Sequence, residues 1–454
     1  MGDIKFLNIS EDIFEKYNVS CPRYTSYPSI PYWSGINESQ WNKALLDDLN
    51  TLPKNISLYI HVPFCNSPCA FCGCTKIITR DREWAKVYIE SLIKEARIKR
   101  ELLPAGVRVR EMHVGGGTPT WLEASEMEAL FKPILSEYEI DKSEFSFSIE
   151  VDPRTLKKEH VLKFKDLGVT RVSLGVQDFH GPTMKAIARK QDYNLVAQCV
   201  DLLREHSIEE INFDLVYGLP LQSPDSLRET IEKVSILNPK RIAFYAYAHV
   251  PSLKPAQKFL EKSHIPVGRE KQDLFEVGKK LLIQAGYHQV GMDHFAKMDD
   301  ELFQIQKAGK LNRNFMGYTI TNTTALLGLG PSSVSSTVSA FAQNEKDPAQ
   351  WIERLEKNEP IIVNGHLLTK EDTANQNLIK SIMCCDLVSL PNDVWTKDSI
   401  KIKIDELSKD GLLELRDTQA SIELTELGKN FRRNIASVFD PYFSKTQKAI
   451  HSRA

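Results

Sequence analysis

No run of ~18 apolar residues occurs anywhere in the 454-residue chain, which leaves no candidate for a membrane span. An excess of one charge is lacking too. With 58 basic and 60 acidic residues the net charge is −2, which argues against a nucleic-acid-binding surface. The opening MGDIKFLNISEDIF has neither the apolar core of a signal peptide nor the Ser or Thr that a myristoylation site needs where Phe6 stands. Cysteine is scarce, eight in all, yet Cys65, Cys69, Cys72 and Cys74 fall within ten residues. Thiols so crowded exclude a secreted disulfide framework and fit a reducing interior, so the expected location is the cytoplasm.

The stretch SLYIHVPFCNSPCAFCGCTKIITR, from Ser57, organises the rest. An apolar run, Ser57 to Val62, reads as a buried strand, and the cysteines follow it as C-x3-C-x2-C with Cys74 two residues on. Thiolates this close repel one another unless a cation neutralises them. An iron–sulfur cube ordinarily takes four thiolates, so three leave one iron open to an outside ligand. The alternatives are a zinc site using all four cysteines, or reduced thiols without metal. Zinc is the weaker choice, because no second C-x2-C knuckle exists.

Taken in order, residues 1 to about 40 interleave aromatics with Pro22, Pro28 and Pro31, which forbids regular helix there and predicts an extended arm. From Ser57 onward strands and helices alternate. Strands are predicted at Val107–Val114, Phe145–Val151, Thr170–Phe179, Ile211–Tyr217, Arg241–His249 and Tyr287–His294. Between them fall helices. A Ser125/Glu128 capping box opens one, Gly168 closes another, and Ser223-Pro224 starts a third. Six β–α units in a row demand a parallel sheet with right-handed crossovers, that is, an α/β fold forming a partial, curved (β/α)6 barrel. Its strand ends collect the cysteine loop, Gly115 to Thr118, Glu150 with Asp152, Gln177 with Asp178, Asp214, Ala248-His249 and Asp293-His294. Such sheets bind ligands at those ends. Residues 300 to 365 are less regular, but Leu326, Leu327 and Leu329 predict a packed segment there. After about 366 the pattern turns helical and then winged-helix-like, with Cys384 and Cys385 expected in the core. Three parts follow: an arm over 1–45, a catalytic domain over 46–365 and a mostly helical, winged-helix-like domain over 366–454.

The glycine triplet Gly115 to Gly117 has no lysine after it and lacks G-x-G-x-x-G spacing, so it is neither a phosphate loop nor a dinucleotide turn. Its use is close backbone approach.

C-x3-C-x-F-C, with Cys74 and the HVPFC lead-in, resembles the oxygen-independent coproporphyrinogen III oxidases of the radical S-adenosylmethionine superfamily. The resemblance begins at Pro22-Arg23-Tyr24-Thr25-Ser26-Tyr27-Pro28 and covers nearly the whole chain. It implies a TIM-like radical S-adenosylmethionine barrel and a 4Fe-4S cluster on Cys65, Cys69 and Cys72, with Cys74 outside the ligand set. It also implies two molecules of S-adenosylmethionine. Tyr59, Gly116, Glu150 and Val334 would surround the first, and Phe71, Gly117, Thr118, Gln177, Arg189, Asp214 and Ala248 the second. Tyr59 and His61 are the catalytic candidates, and Arg23 is a candidate for a substrate carboxylate. The implied reaction is the oxidative decarboxylation of two propionates of coproporphyrinogen III to vinyl groups in haem biosynthesis, giving protoporphyrinogen IX. The implied partners are the tetrapyrrole and a flavodoxin- or ferredoxin-type electron donor, with no nucleic acid or membrane and a monomeric enzyme. Met316, Pro331-Ser332-Ser333 and Asn375-Gln376 depart from the family pattern, which keeps a related radical methyltransferase as an alternative. The other alternative is a haem-binding or haem-delivering relative, a group that tends to lack the PRYTSYP arm and the cysteine at Cys74's position, both present here.

Overall fold

A computed structural model describes residues 9–416 and 420–443. Six strands, β1 (Asn55–Val62), β2 (Arg108–Gly116), β3 (Ser146–Val151), β4 (Arg171–Gln177), β5 (Ile211–Tyr217) and β6 (Arg241–Ala246), alternate with helices as the apolar periodicity predicts. They lie parallel in the order β6-β5-β4-β3-β2-β1. The packed segment around Leu326 is a further strand, β7 (Ala325–Leu329), parallel to β1 on its free side and buried throughout. The parallel array therefore has seven strands, and three antiparallel strands extend it beyond β7 to Ile362–Leu367.

The stretch Tyr287–His294 is not one strand. It splits into His288–Val290 and His294–Ala296, antiparallel to each other, the second running antiparallel to β6. Gly291 sits at φ +59° in the turn between them, with the Tyr318 ring packed where a Cβ would stand. The chain reverses there because only glycine fits both demands. The capping box also moves. The helix starts at Ala124, and Glu126 accepts from the Glu123 N–H at 2.8 Å. Gly168 at φ +80° and Ser223, whose side chain accepts from Ser226 N–H, cap as predicted.

Along β4 the side chains alternate. Val172, Leu174 and Val176 are wholly buried against the outer helices, while Arg171, Ser173, Gly175 and Gln177 line a cavity inside the curve.

The arm is not wholly extended. Glu11–Tyr17 is a helix and Glu38–Thr51 another, the second running through residue 45. Phe14, Tyr17, Tyr24 and Tyr27 share one apolar cluster with Ile382, Leu407, Ile422 and Ile435, far along the chain. That C-terminal part pairs a three-stranded antiparallel sheet with helices Lys370–Cys384 and Asp398–Lys409. Cys384 is buried and Cys385 half-buried. Arg432 is turned inward, donating to the Ile382 and Cys385 carbonyls at 2.7 and 2.8 Å. Among the described residues no helix is long and apolar enough to cross a membrane.

Candidate active site

At the carboxyl ends of β1 to β6 lies a cavity of about 640 Å³. Cys65, Cys69 and Cys72 line one end of it, on the loop that leaves β1. Among the described residues no three His, Cys, Asp or Glu side chains converge as they would on a single ion.

The surroundings favour anionic sulfur. Arg154 Nη2 and Arg189 Nη1 each donate to Cys69 Sγ at 3.3 Å. Asp152 orients both guanidinium groups, with contacts of 2.6 Å to Arg154 and 3.2 Å to Arg189. Burial would raise the Asp152 carboxyl, but the Arg154 hydrogen bond and both cations hold it below the ordinary carboxylate range. Thr118 Oγ1 lies 3.2 Å from Cys65 Sγ. The Cys74 thiol hydrogen-bonds Cys72 and depresses it to about 5, while Cys74 itself is pushed up.

The glycine turn carries the close approach. A Cβ on Gly117 would stand 2.8 Å from the Phe64 carbonyl oxygen, and one on Gly116, at φ +112°, 2.7 Å from the His61 ring. Gly116 N–H donates to Glu150 at 3.2 Å, and His113 Nε2 reaches the same carboxylate at 3.2 Å. Asp214 accepts from Ser173 and from Asn212, each at 2.9 Å. Burial, then the Glu150 charge, push its carboxyl up to about 7. Gln177 sits at φ +69° at the end of β4, a strained conformation of the kind concentrated at binding sites.

Phe71, Gly116, Gly117, Thr118, Glu150, Gln177, Arg189, Asp214 and Ala248 thus line one cavity together with the three cysteines. Tyr59, His61 and Val334 are not among its lining residues. His61 Nε2 donates to the Thr75 carbonyl at 2.9 Å, so its Nδ1 accepts from Tyr59 Oη at 3.0 Å. Burial lowers the His61 pKa and raises that of Tyr59, which keeps both neutral. This pair braces the far end of the cysteine loop from beneath. Val334 lies on a neighbouring strand, where its carbonyl packs on Gly328, level with Tyr59.

Arg23 reaches the cavity but pairs with Asp293 at 2.9 Å and lies 5.4 Å from the Tyr245 ring centroid. Of the divergent positions only Met316 lines the cavity, whereas Asn375 and Gln376 donate to Tyr27 at 3.3 and 3.2 Å and hold the arm. Sequence reasoning missed His113, Ser148, Ser173, Arg171 and Arg241, which face inward on their strands. Their signal was available as polar residues at every second position of otherwise apolar strands. Arg154, two residues after Asp152, carried no signal of its own.

Residues 59–234 match the model of the radical SAM superfamily, the class this sheet and thiol trio define. The chain is 36% identical over 441 residues to the oxygen-independent coproporphyrinogen III oxidase of Escherichia coli strain K12, spanning 95% of this chain and 94% of that one. It is 35% identical over 469 residues to the Synechocystis enzyme of the same name, spanning 99% and 98%. The solved coproporphyrinogen III oxidase from Escherichia coli, described as a radical SAM enzyme, superposes with a TM-score of 0.87 at 34% identity, over 92% of this chain and 97% of that one. The chain belongs to the oxygen-independent coproporphyrinogen III oxidase family of radical SAM enzymes, whose members use a 4Fe-4S cluster and S-adenosylmethionine.

Proposed function

We propose that the chain converts two propionate side chains of coproporphyrinogen III to vinyl groups without oxygen, giving protoporphyrinogen IX in haem biosynthesis. The observation that carries this reading is the C-x3-C-x2-C trio sharing one cavity with Glu150, Gln177, Arg189 and Asp214, in a chain matched over 95% of its length by a member of this family. Each propionate would lose a hydrogen atom from its β-carbon, then carbon dioxide and one electron. When bound, the cluster and S-adenosylmethionine supply the one-electron chemistry that ends in abstraction of that hydrogen atom.

The protein's part is binding and exclusion of water. Cys65, Cys69 and Cys72 would hold the cluster, with Arg154 and Arg189 stabilising sulfur charge at Cys69. Glycine at 116 and 117 lets this turn pack directly on the His61 ring and the Phe64 backbone, and Glu150 at its side would receive the ligand's ammonium or ribose hydroxyls. Gln177, Arg189, Asp214, Phe71, Thr118 and Ala248 would contact a second S-adenosylmethionine, and Tyr59 with His61 would position the loop under the first. The proposal includes a cytoplasmic monomer fed by a low-potential electron-carrier protein. It also makes 9–51, together with the C-terminal module, a cover for a barrel spanning 55–367.

Anaerobic incubation with coproporphyrinogen III, dithionite and S-adenosylmethionine tests it. Vinyl product with 5′-deoxyadenosine and methionine is expected. Bound haem without turnover, or S-adenosylhomocysteine as product, refutes it. Equilibrium dialysis of the cluster-loaded enzyme should count two S-adenosylmethionine per chain.

Asp214 adds a pH signature. Below about 7 its carboxyl is mostly neutral and above it mostly charged, and the charged form attracts a cationic ligand. Affinity for S-adenosylmethionine should therefore rise between about pH 6 and about pH 8 by up to about tenfold, the ratio of ionised fractions. Asp214→Asn should flatten that rise. An equally steep profile in the variant would assign the effect to another group.

A further inference from the structure

The segment following β6 is exposed in an unusual way. Pro255–Lys262 forms a short helix whose buried residues, Gln257 and Leu260, seat it on the cysteine loop. Gln257 Nε2 donates to the carbonyl of Phe71, the residue before Cys72, at 3.0 Å. Leu260 shares an apolar cluster with Ala70, and Phe71 packs against the same cluster. The opposite face of this helix carries Phe259, 69% exposed, and the preceding turn carries Leu253, 61% exposed. Lys258 and Lys262 on the same helix are exposed as well, Lys262 Nζ lying 5.7 Å from the centroid of the phenyl ring.

A second segment extends the same charge. Ala70 N–H donates to the Ile187 carbonyl at 3.0 Å, so the helix Gly181–Ala186 and its end also border the loop, and Lys185 and Lys190 on it are exposed. Across 250–262 and 181–190 the one acidic residue is Glu261, which faces His249 at 3.3 Å. In a chain of net charge −2, this local surplus of lysine around two bare apolar side chains marks a patch built for an acidic partner.

We propose that Leu253, Lys258, Phe259 and Lys262, with Lys185 and Lys190, form the docking surface for a small acidic one-electron carrier protein that reduces the cluster. This rests on the radical SAM reading above, which requires an electron from outside. Electron transfer weakens steeply with distance, so a carrier must seat its redox centre near the three thiols. This patch lies on the outer side of the loop that carries them. The lysines would steer the encounter and the apolar pair would be covered on docking.

The test compares two electron sources on the cluster-loaded enzyme. Phe259→Ser and the double variant Lys258→Glu/Lys262→Glu are made, and reduction is driven by limiting reduced flavodoxin or by dithionite. Cluster reduction is followed by loss of visible absorbance, and binding of oxidised flavodoxin by titration calorimetry. Flavodoxin-driven reduction and flavodoxin affinity should fall on the order of tenfold, the loss in the charge variant shrinking as salt rises. Dithionite-driven reduction and iron content should not change. Equal losses with both reductants would show that the patch merely supports the loop, and unchanged rates with both would remove it from electron entry. A variant-dependent shift in oligomeric state, or in binding to phosphatidylserine vesicles, without change in flavodoxin-driven reduction would assign the face to another occupant. Each of those three results overturns the proposal. Failure to make vinyl product while these reduction results hold would sink the substrate reading and leave the docking surface standing.

Discussion

A Cys69→Ser variant is expected to purify without iron or acid-labile sulfide and to show no turnover above background. Cys69 is 9% exposed, and its sulfur accepts two guanidinium N–H groups at 3.3 Å, from Arg154 and Arg189. A serine hydroxyl does not ionise at neutral pH and is a hard, weak ligand for iron. The remaining loop thiol, Cys74, is engaged in a hydrogen bond with Cys72. The variant should remain folded, because Asp152 still neutralises both arginines. Iron and sulfide assays on anaerobically reconstituted protein decide it. Iron content equal to that of the parent would remove Cys69 from the ligand set.

The second large effect lies outside the cavity. Glu95 is fully buried, and its carboxylate meets Lys99 Nζ at 2.7 Å, Asn344 Nδ2 at 2.7 Å, Gly330 N–H at 2.8 Å and Trp351 Nε1 at 3.2 Å. Lys99, itself 8% exposed at the side chain, also donates to the Gly328 carbonyl at 2.6 Å. This network ties a barrel helix to the end of β7. Glu95→Ala leaves a buried ammonium without its counter-charge and takes an acceptor from three N–H donors, which should cost about 3–5 kcal/mol of stability. Urea unfolding followed by circular dichroism measures it. A change below about 1 kcal/mol would mean that water fills the gap and solvates Lys99.

Much of this architecture was legible because strands buried on both faces, or apolar on one, read clearly against helical periodicity. The cysteine loop, the glycine turn and the strand-end carboxylates could be named because the fold class decides where strand ends meet. What could not be read has physical causes. Gly291 divides a stretch, Tyr287–His294, that reads as one strand, and only the Tyr318 ring packed against it shows why. β7 lies beside β1 instead of after β6, and a strand's neighbour is not written in its own residues. The polar column inside the barrel was overlooked because Ser148, Ser173 and Arg171 look like the solvent-facing half of ordinary strands. Their inward direction emerges only when the sheet curves round them.

The apolar cluster shared by Phe14, Tyr17, Tyr24 and Tyr27 with residues beyond 378 has a bearing on biogenesis. On the ribosome those early aromatics have nowhere to bury themselves until nearly the entire polypeptide has emerged. The barrel between them can collapse first, leaving sticky rings dangling for most of synthesis. Nascent chains halted before residue 378 should consequently recruit chaperones through their leading segment, and full-length release should end that attachment.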